Sequence, residues 1–140
     1  MADDIVVIMR ADHPNASEPM TAELYASLDH VKLSQASTGT TVIDDALAKR
    51  GLQRHSALIV SNWNTIPDIL DKTDLIAIAP SHLLSLDPRL KNFKAVPLPL
   101  EEVIFSFDLC WDHRSEEDSG HQWLCDTIID VFNKQVKKIN

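Results

Sequence analysis

The chain has 140 residues, and its 21 acidic and 13 basic side chains give a net charge of −8. A charged fraction of 24% beside 44% hydrophobic residues is that of an ordinary globular chain, not a disordered one. With so few Lys and Arg, and no basic stripe, the composition argues against DNA binding by this chain alone. Its three glycines, Gly39, Gly51 and Gly120, build neither GxGxxG nor GxxxxGK[ST]. Cys110 and Cys125 make no disulfide framework or metal spacing, and both read as buried small apolar residues. The first apolar run, Ile5 to Met9, is too short for a signal peptide, and no run approaches a membrane span. The expectation is a cytoplasmic protein with reduced thiols and no membrane partner.

Ile5 to Met9 predicts a strand, because it is β-branched and lacks a helical period. Asp12-His13-Pro14-Asn15 predicts a turn, since Pro restricts its own φ and its neighbour's. Thr21 caps a helix that carries Leu24, Tyr25 and Leu28 on one face. Val31 to Leu33 is a second strand and Ser34 to Thr40 a polar loop. Thr41 caps the next helix, Asp44 sits near its positive end, and Gly51 ends it in the left-handed conformation. Ala57 to Val60 is a third strand. Asn62 or Asn64 caps a helix over Ile66 to Leu70, with Pro67 in its first turn. Leu75 to Ala79 is a fourth strand, and Ser81 caps a short helix through Ser85. Phe93 to Val96 is extended. Ile104 to Trp111 alternates and predicts a strand with Phe105, Phe107, Leu109 and Trp111 on one face. Ser119 caps a last helix, with Trp123, Leu124, Thr127, Ile128, Val131 and Phe132 at helical spacing, and Lys134 to Lys138 follow at its negative end.

Strands alternating with helices predict an α/β fold with a mixed, largely parallel sheet. Val96-Pro-Leu-Pro-Leu100 is a stiff connector. It divides residues 1–98, a nearly complete β-α-β-α-β-α-β unit, from residues 99–140, which hold one strand and one helix. A lone strand and helix cannot bury their own apolar faces.

The motifs resemble those of the effector-binding domain of LysR-type transcriptional regulators. Val6 to Pro14 (VVIMRADHP) is similar to the first strand and R-x-D-H-P turn of that domain's second subdomain. Ile43 to Leu52 resembles its V-D-x-A-L-A-x-x-G-L helix, Thr73 to Pro80 its x-D-L-I-A-x-x-P strand, and Trp111 to Leu124 its closing W-H-x-R-x-x-x-D-x-x-H-x-W-L segment. The wording is nearest the branch whose effectors are aromatic acids and flavonoid-like signals. The resemblance implies a periplasmic-binding-protein-like fold. Residues 1–98 would form the inserted effector-binding lobe; residues 99–140 would be the hinge, returning strand and last helix of an incomplete first lobe. A helix-turn-helix and the first β-α-β-α stretch of that lobe have no counterpart here, so the expectation is a domain truncated at its N-terminal side, without direct DNA binding.

Ser34, Ser37, Thr38, Gly39 and Thr40 precede a helix whose free N–H groups can hold a carboxylate. Asn62, Trp63 and Pro80 follow strand ends, where open α/β sheets place ligands, and Trp63 can stack on an aromatic ring. These eight residues are the candidate contacts for a small-molecule effector; simple capping and packing are the competing roles, and Pro80 with Ser81 can be structural alone. The six histidines lack HxxxH or HExxH spacing, and no nucleophile–base set assembles. The reading is therefore neither enzyme nor metal or cofactor protein, against the alternatives of an α/β hydrolase or transferase and a stand-alone solute-binding module. The apolar faces of residues 104–132 predict a homodimer or higher oligomer, because exposing them all would cost well over about 10 kcal/mol.

Overall fold

The computed structural model describes residues 2–34, 39–106 and 108–136. The chain forms two compact units, Ala2–Phe105 and the segment from Ser106 onward.

The first unit begins with β1 (Ala2–Asp3) and β2 (Ile5–Arg10), followed by α1 (Ala22–Ser27) and β3 (Asp29–Leu33). Next come α2 (Gly39–Lys49), β4 (His55–Val60), a 3-10 turn at Trp63–Thr65 and α3 (Ile66–Leu70). It continues through β5 (Ala77–Pro80), α4 (Leu83–Leu86), a 3-10 turn at Pro88–Asn92 and β6 (Phe93–Pro97). The short strand β7 (Phe105–Ser106) lies at the boundary, and α5 (Ser119–Val136) belongs to the second unit.

β2 lies between β5 and β6 and is antiparallel to both, with Val7 opposite Ile78 and Val96. β3 and β4 are parallel. A parallel bridge between His30 and Ile76 joins the two groups, with Val31 N–H donating to the Ile76 carbonyl at 2.9 Å. β3, β4, β5 and β6 therefore share one direction and only β2 opposes them, which is the mixed, largely parallel sheet that the pattern predicted.

The period-two alternation of β2 sorts its side chains to two cores. Val7 and Met9 pack with Tyr25 of α1 and Ile43, Ala46 and Leu47 of α2. Ile8 packs on the other face with Val31, Ile66, Leu70 and Leu90. The expected R-x-D-H-P turn is a clasp: His13 is buried, its Nδ1 accepts from Asn15 N–H at 3.0 Å, and its Nε2 donates to the Asp74 carbonyl at 2.9 Å. Arg10 pairs with Asp12 and Asp74 beside it. Those two bonds place a ring proton on Nε2.

Several local expectations give way. α2 starts at Gly39, so Thr41 lies inside the helix rather than at its cap. Asp44 serves as an ion-pair acceptor for Lys32 and Arg54 rather than as a dipole partner. His82, not Ser81, stands at the start of α4, and no side chain caps it. α5 is capped from Asp118, whose carboxylate accepts from His121 N–H at 3.1 Å, because Ser119 is already helical. The strand expected over Ile104–Trp111 is confined to Phe105–Ser106, and residues 108–111 are irregular. Phe107 lies outside the described residues. Alternation alone does not make a strand where no neighbour supplies ladder hydrogen bonds. Cys125 is buried as expected, but Cys110 is exposed on that irregular segment. Thr21 and Gly51 behave as read: Thr21 Oγ1 accepts from Leu24 N–H, and Gly51 has φ 70°.

His30 is 1% exposed, donates Nε2–H to the Tyr25 carbonyl at 2.8 Å and meets the Tyr25 ring edge-on. Burial pushes its imidazole down from 6.5 to about 4, with nearby Arg54 acting in the same direction. The unfolded chain therefore binds the proton first as pH falls. Stability is complete above the unfolded value, drops between about pH 6.5 and about 4, and levels below, by on the order of 3 kcal/mol. Urea unfolding across this range is expected to show the slope, and His30→Gln, which keeps a donor for Tyr25, is expected to flatten it. An identical slope in the variant would refute the assignment.

Candidate effector site

Because β3, β4 and β5 run in one direction, Leu33, Val60 and Pro80 end at the same edge of the sheet. Ser34 N–H donates to the Val60 carbonyl at 2.6 Å, tying the first two ends together. Pro80 is held opposite Ile5, and Ser81 N–H donates to the Asp4 carbonyl at 2.8 Å. Beyond Val60 the chain turns on Asn62, whose side-chain oxygen accepts from Asn64 N–H at 2.9 Å, while Thr65 Oγ1 donates to the Asn62 carbonyl. Neither asparagine caps α3, whose N-cap position is Thr65 without a side-chain hydrogen bond; Asn62 caps the 3-10 turn before it instead, because that turn intervenes. Pro67 sits in the first turn of α3.

Ser34, Asn62, Trp63 and Pro80 thus stand on one sheet edge. Gly39 and Thr40 form the first residues of α2, the helix that follows Ser34. Ser37 and Thr38 fall outside the described residues. None of these positions carries a formal charge, so an anion here would meet backbone N–H dipoles and neutral donors.

Trp63 is half-buried against the core around Ile66 and Leu70. Its indole Nε1 is buried without a hydrogen-bond partner. An unmade buried hydrogen bond costs about 1–3 kcal/mol.

Arg54 stands outside the residues that the motifs single out. Its side chain is 3% exposed, donates Nε–H to Asp44 at 2.6 Å and NH1 to the Tyr25 hydroxyl at 3.1 Å. Lys32 Nζ reaches the other Asp44 oxygen at 2.9 Å. Burial would raise the Asp44 carboxyl, but the hydrogen bonds from Arg54 and Lys32 outweigh it and hold the carboxyl below its ordinary value. Lys32, Asp44 and Arg54 line a cavity of about 690 Å³ with Leu47, Leu52 and Gln53. Its cations are engaged with Asp44, so the group secures α2 to the sheet. Only the sequence separation of ten between Asp44 and Arg54 hinted at it, and such a spacing is unspecific.

In the second unit, His121 packs edge-on to Trp111 with centroids 6.0 Å apart, and its Nε2 lies 3.5 Å from Cys125 Sγ. Among the described residues no group of three or more His, Cys, Asp or Glu is placed to hold a metal ion, and no helix is long and apolar enough to cross a membrane.

The fold is a mixed α/β one, and the comparisons say which family has it. The family model described as "LysR substrate binding domain" matches residues 1–133. The chain belongs to that family. It is 29% identical over 129 residues to the HTH-type transcriptional activator NagR of a Ralstonia species, covering 92% of this chain and 43% of NagR. Less than half the length of that relative is therefore represented. A putative transcriptional regulator from Vibrio parahaemolyticus superposes with a TM-score of 0.82 at 21% identity, over 99% of this chain and 64% of the other. The BenM effector binding domain, solved with its effector benzoate, superposes with a TM-score of 0.57 at 17% identity, over 74% of this chain and 48% of the other.

Trp63→Phe keeps a six-membered aromatic ring and removes the orphaned donor together with the pyrrole half of the indole. Its urea midpoint is expected to equal or exceed that of the natural chain. A loss above about 1 kcal/mol would mean that the N–H has a partner in solution.

Proposed function

We propose that this chain is the small-molecule-sensing portion of a LysR-type transcriptional regulator, non-catalytic and cytoplasmic. Its effector is an aromatic or carboxylate compound, held by Ser34, Ser37, Thr38, Gly39, Thr40, Asn62, Trp63 and Pro80. The observation that carries the reading is the shared edge at which three parallel strands end, with α2 starting just beyond it. Residues 1–98 act as the effector lobe, and residues 99–140 as the hinge, returning segment and last helix of the first lobe. The net charge of −8 supports a sensor that does not itself touch DNA. The exposed Leu109, Trp111, Leu124, Ile128 and Val131 support homo-oligomerisation through residues 104–132. The benzoate of BenM supports the choice of an aromatic carboxylate as the first probe.

Titrated with benzoate, the backbone resonances of Gly39, Thr40, Asn62 and Trp63 are expected to shift before others. The affinity expected is roughly millimolar, about −4 kcal/mol, for a site furnished by one lobe. Shifts confined to His113–His121 would displace the site. In gel shifts at low salt, a promoter fragment and its scrambled version are expected to behave alike. Submicromolar discrimination between them would overturn the assignment of a sensor without direct DNA contact.

A further inference from the structure

Among the described residues, the indole Nε1 of Trp63 is the one buried side-chain nitrogen or oxygen that no hydrogen-bond partner meets. Folded chains pair such groups, so a single one left over calls for a role. The backbone around it is tied from both sides. Asn62 Oδ1 accepts from Asn64 N–H, and Thr65 Oγ1 donates to the Asn62 carbonyl. Arg89, from the 3-10 turn Pro88–Asn92, donates NH1 to the Asn64 carbonyl at 2.9 Å. The turn is therefore held in place, while no polar bond holds the indole.

The ring packs on the core around Ile66 and Leu70, yet Ser61, Asn62, Asn64 and Thr65 beside it are all exposed. The torsion that joins an aromatic ring to Cβ has two wells, about half a turn apart. Exchange between them leaves the indole on the same core and carries Nε1 from its buried edge to the opposite edge. The six-membered half of the ring then fills the place of the five-membered half, at a cost in fit. Hydrogen bonding favours one setting and shape the other, so an acceptor that meets Nε1 decides between them.

The sheet edge is where such an acceptor arrives. Trp63 lies three residues beyond Val60, the end of β4, and Ser34 and Pro80 end the neighbouring strands on that edge. Ser34, Gly39, Thr40, Asn62 and Pro80 carry no formal charge, so neutral donors are what they offer to an anion.

We propose that Trp63 selects the effector: its indole turns Nε1 to the sheet edge and donates a hydrogen bond to a carboxylate oxygen of the bound molecule. This rests on the effector-site reading above and names the donor that discriminates between ligands there.

Benzoate titration of the whole 140-residue chain, followed by the indole N–H resonances of its three tryptophans, tests it. Trp111→Phe and Trp123→Phe replace exposed side chains and remove the other two signals, which assigns that of Trp63. Its indole proton is expected to move downfield, with the same midpoint as the backbone shifts of Gly39 and Thr40. Trp63→Phe is expected to weaken benzoate at least about tenfold while keeping its urea midpoint, whereas loss of a purely structural residue would lower that midpoint. Should Trp63→Phe fail to fold, the indole proton of the natural chain still decides. Backbone shifts at Gly39, Thr40 and Asn62 beside a stationary Trp63 indole proton would keep the effector site and overturn its donor. Equal benzoate affinity in folded Trp63→Phe would do the same. An indole proton already far downfield in the free chain, and unmoved by benzoate, would assign Nε1 to an internal water and overturn the proposal. No shift at any of these positions would sink the site and the donor together.

Discussion

The arrangement depends on one buried guanidinium. Arg54 leaves water almost completely and is compensated by the Asp44 carboxylate on α2 and the Tyr25 hydroxyl on α1. A buried cation is tolerated only when its donors are satisfied, so the chain after Gly51 has to lie where both acceptors converge. Asp44 also takes a bond from Lys32 of β3. α1, α2 and β3 are thereby joined around one charge cluster, and α2 cannot slide along the sheet without separating it. The start of α2 is the part of the candidate site that needs a fixed position.

β2 supplies the complementary constraint. Its side chains are buried on both faces, and it runs antiparallel to both of its neighbours. Because β3, β4 and β5 share one direction, opposed by β2 where it meets β5, their ends lie on a common edge. The candidate site is therefore a consequence of sheet direction: neutral side chains and backbone dipoles gather where three strands stop.

The two units differ in how far they satisfy themselves. Residues 2–105 enclose two apolar cores, one on each face of the sheet. The segment from Ser106 carries an amphipathic helix with large apolar side chains open to solvent. A helix of this kind gains most of its stability from what covers its apolar face. What covers that face therefore decides how stable the helix is.

Much of the fold was legible beforehand. The β-branched runs announced β2 to β5, Thr21 announced the start of α1, and Gly51 the end of α2, because these are local steric and hydrogen-bonding facts. The ordered motifs from Val6 to Leu124 announced the family. Cap positions at Thr41, Ser81 and Ser119 were misplaced, since several hydroxyl or carboxylate residues compete for each helix start and only backbone geometry selects among them. The strand over Ile104–Trp111 shrank to two residues because alternation specifies which way side chains point, whereas a strand also needs a neighbour for its N–H and C=O groups. The pairing of Arg54 with Asp44 and Tyr25, the orphaned Trp63 N–H and the exposure of Cys110 could not be read from residue order. The sequence by itself determined local conformation and apolar periodicity, which act over a few residues. The tertiary structure alone decided which charges meet and which strand ends share an edge, because those contacts join residues far apart in the chain.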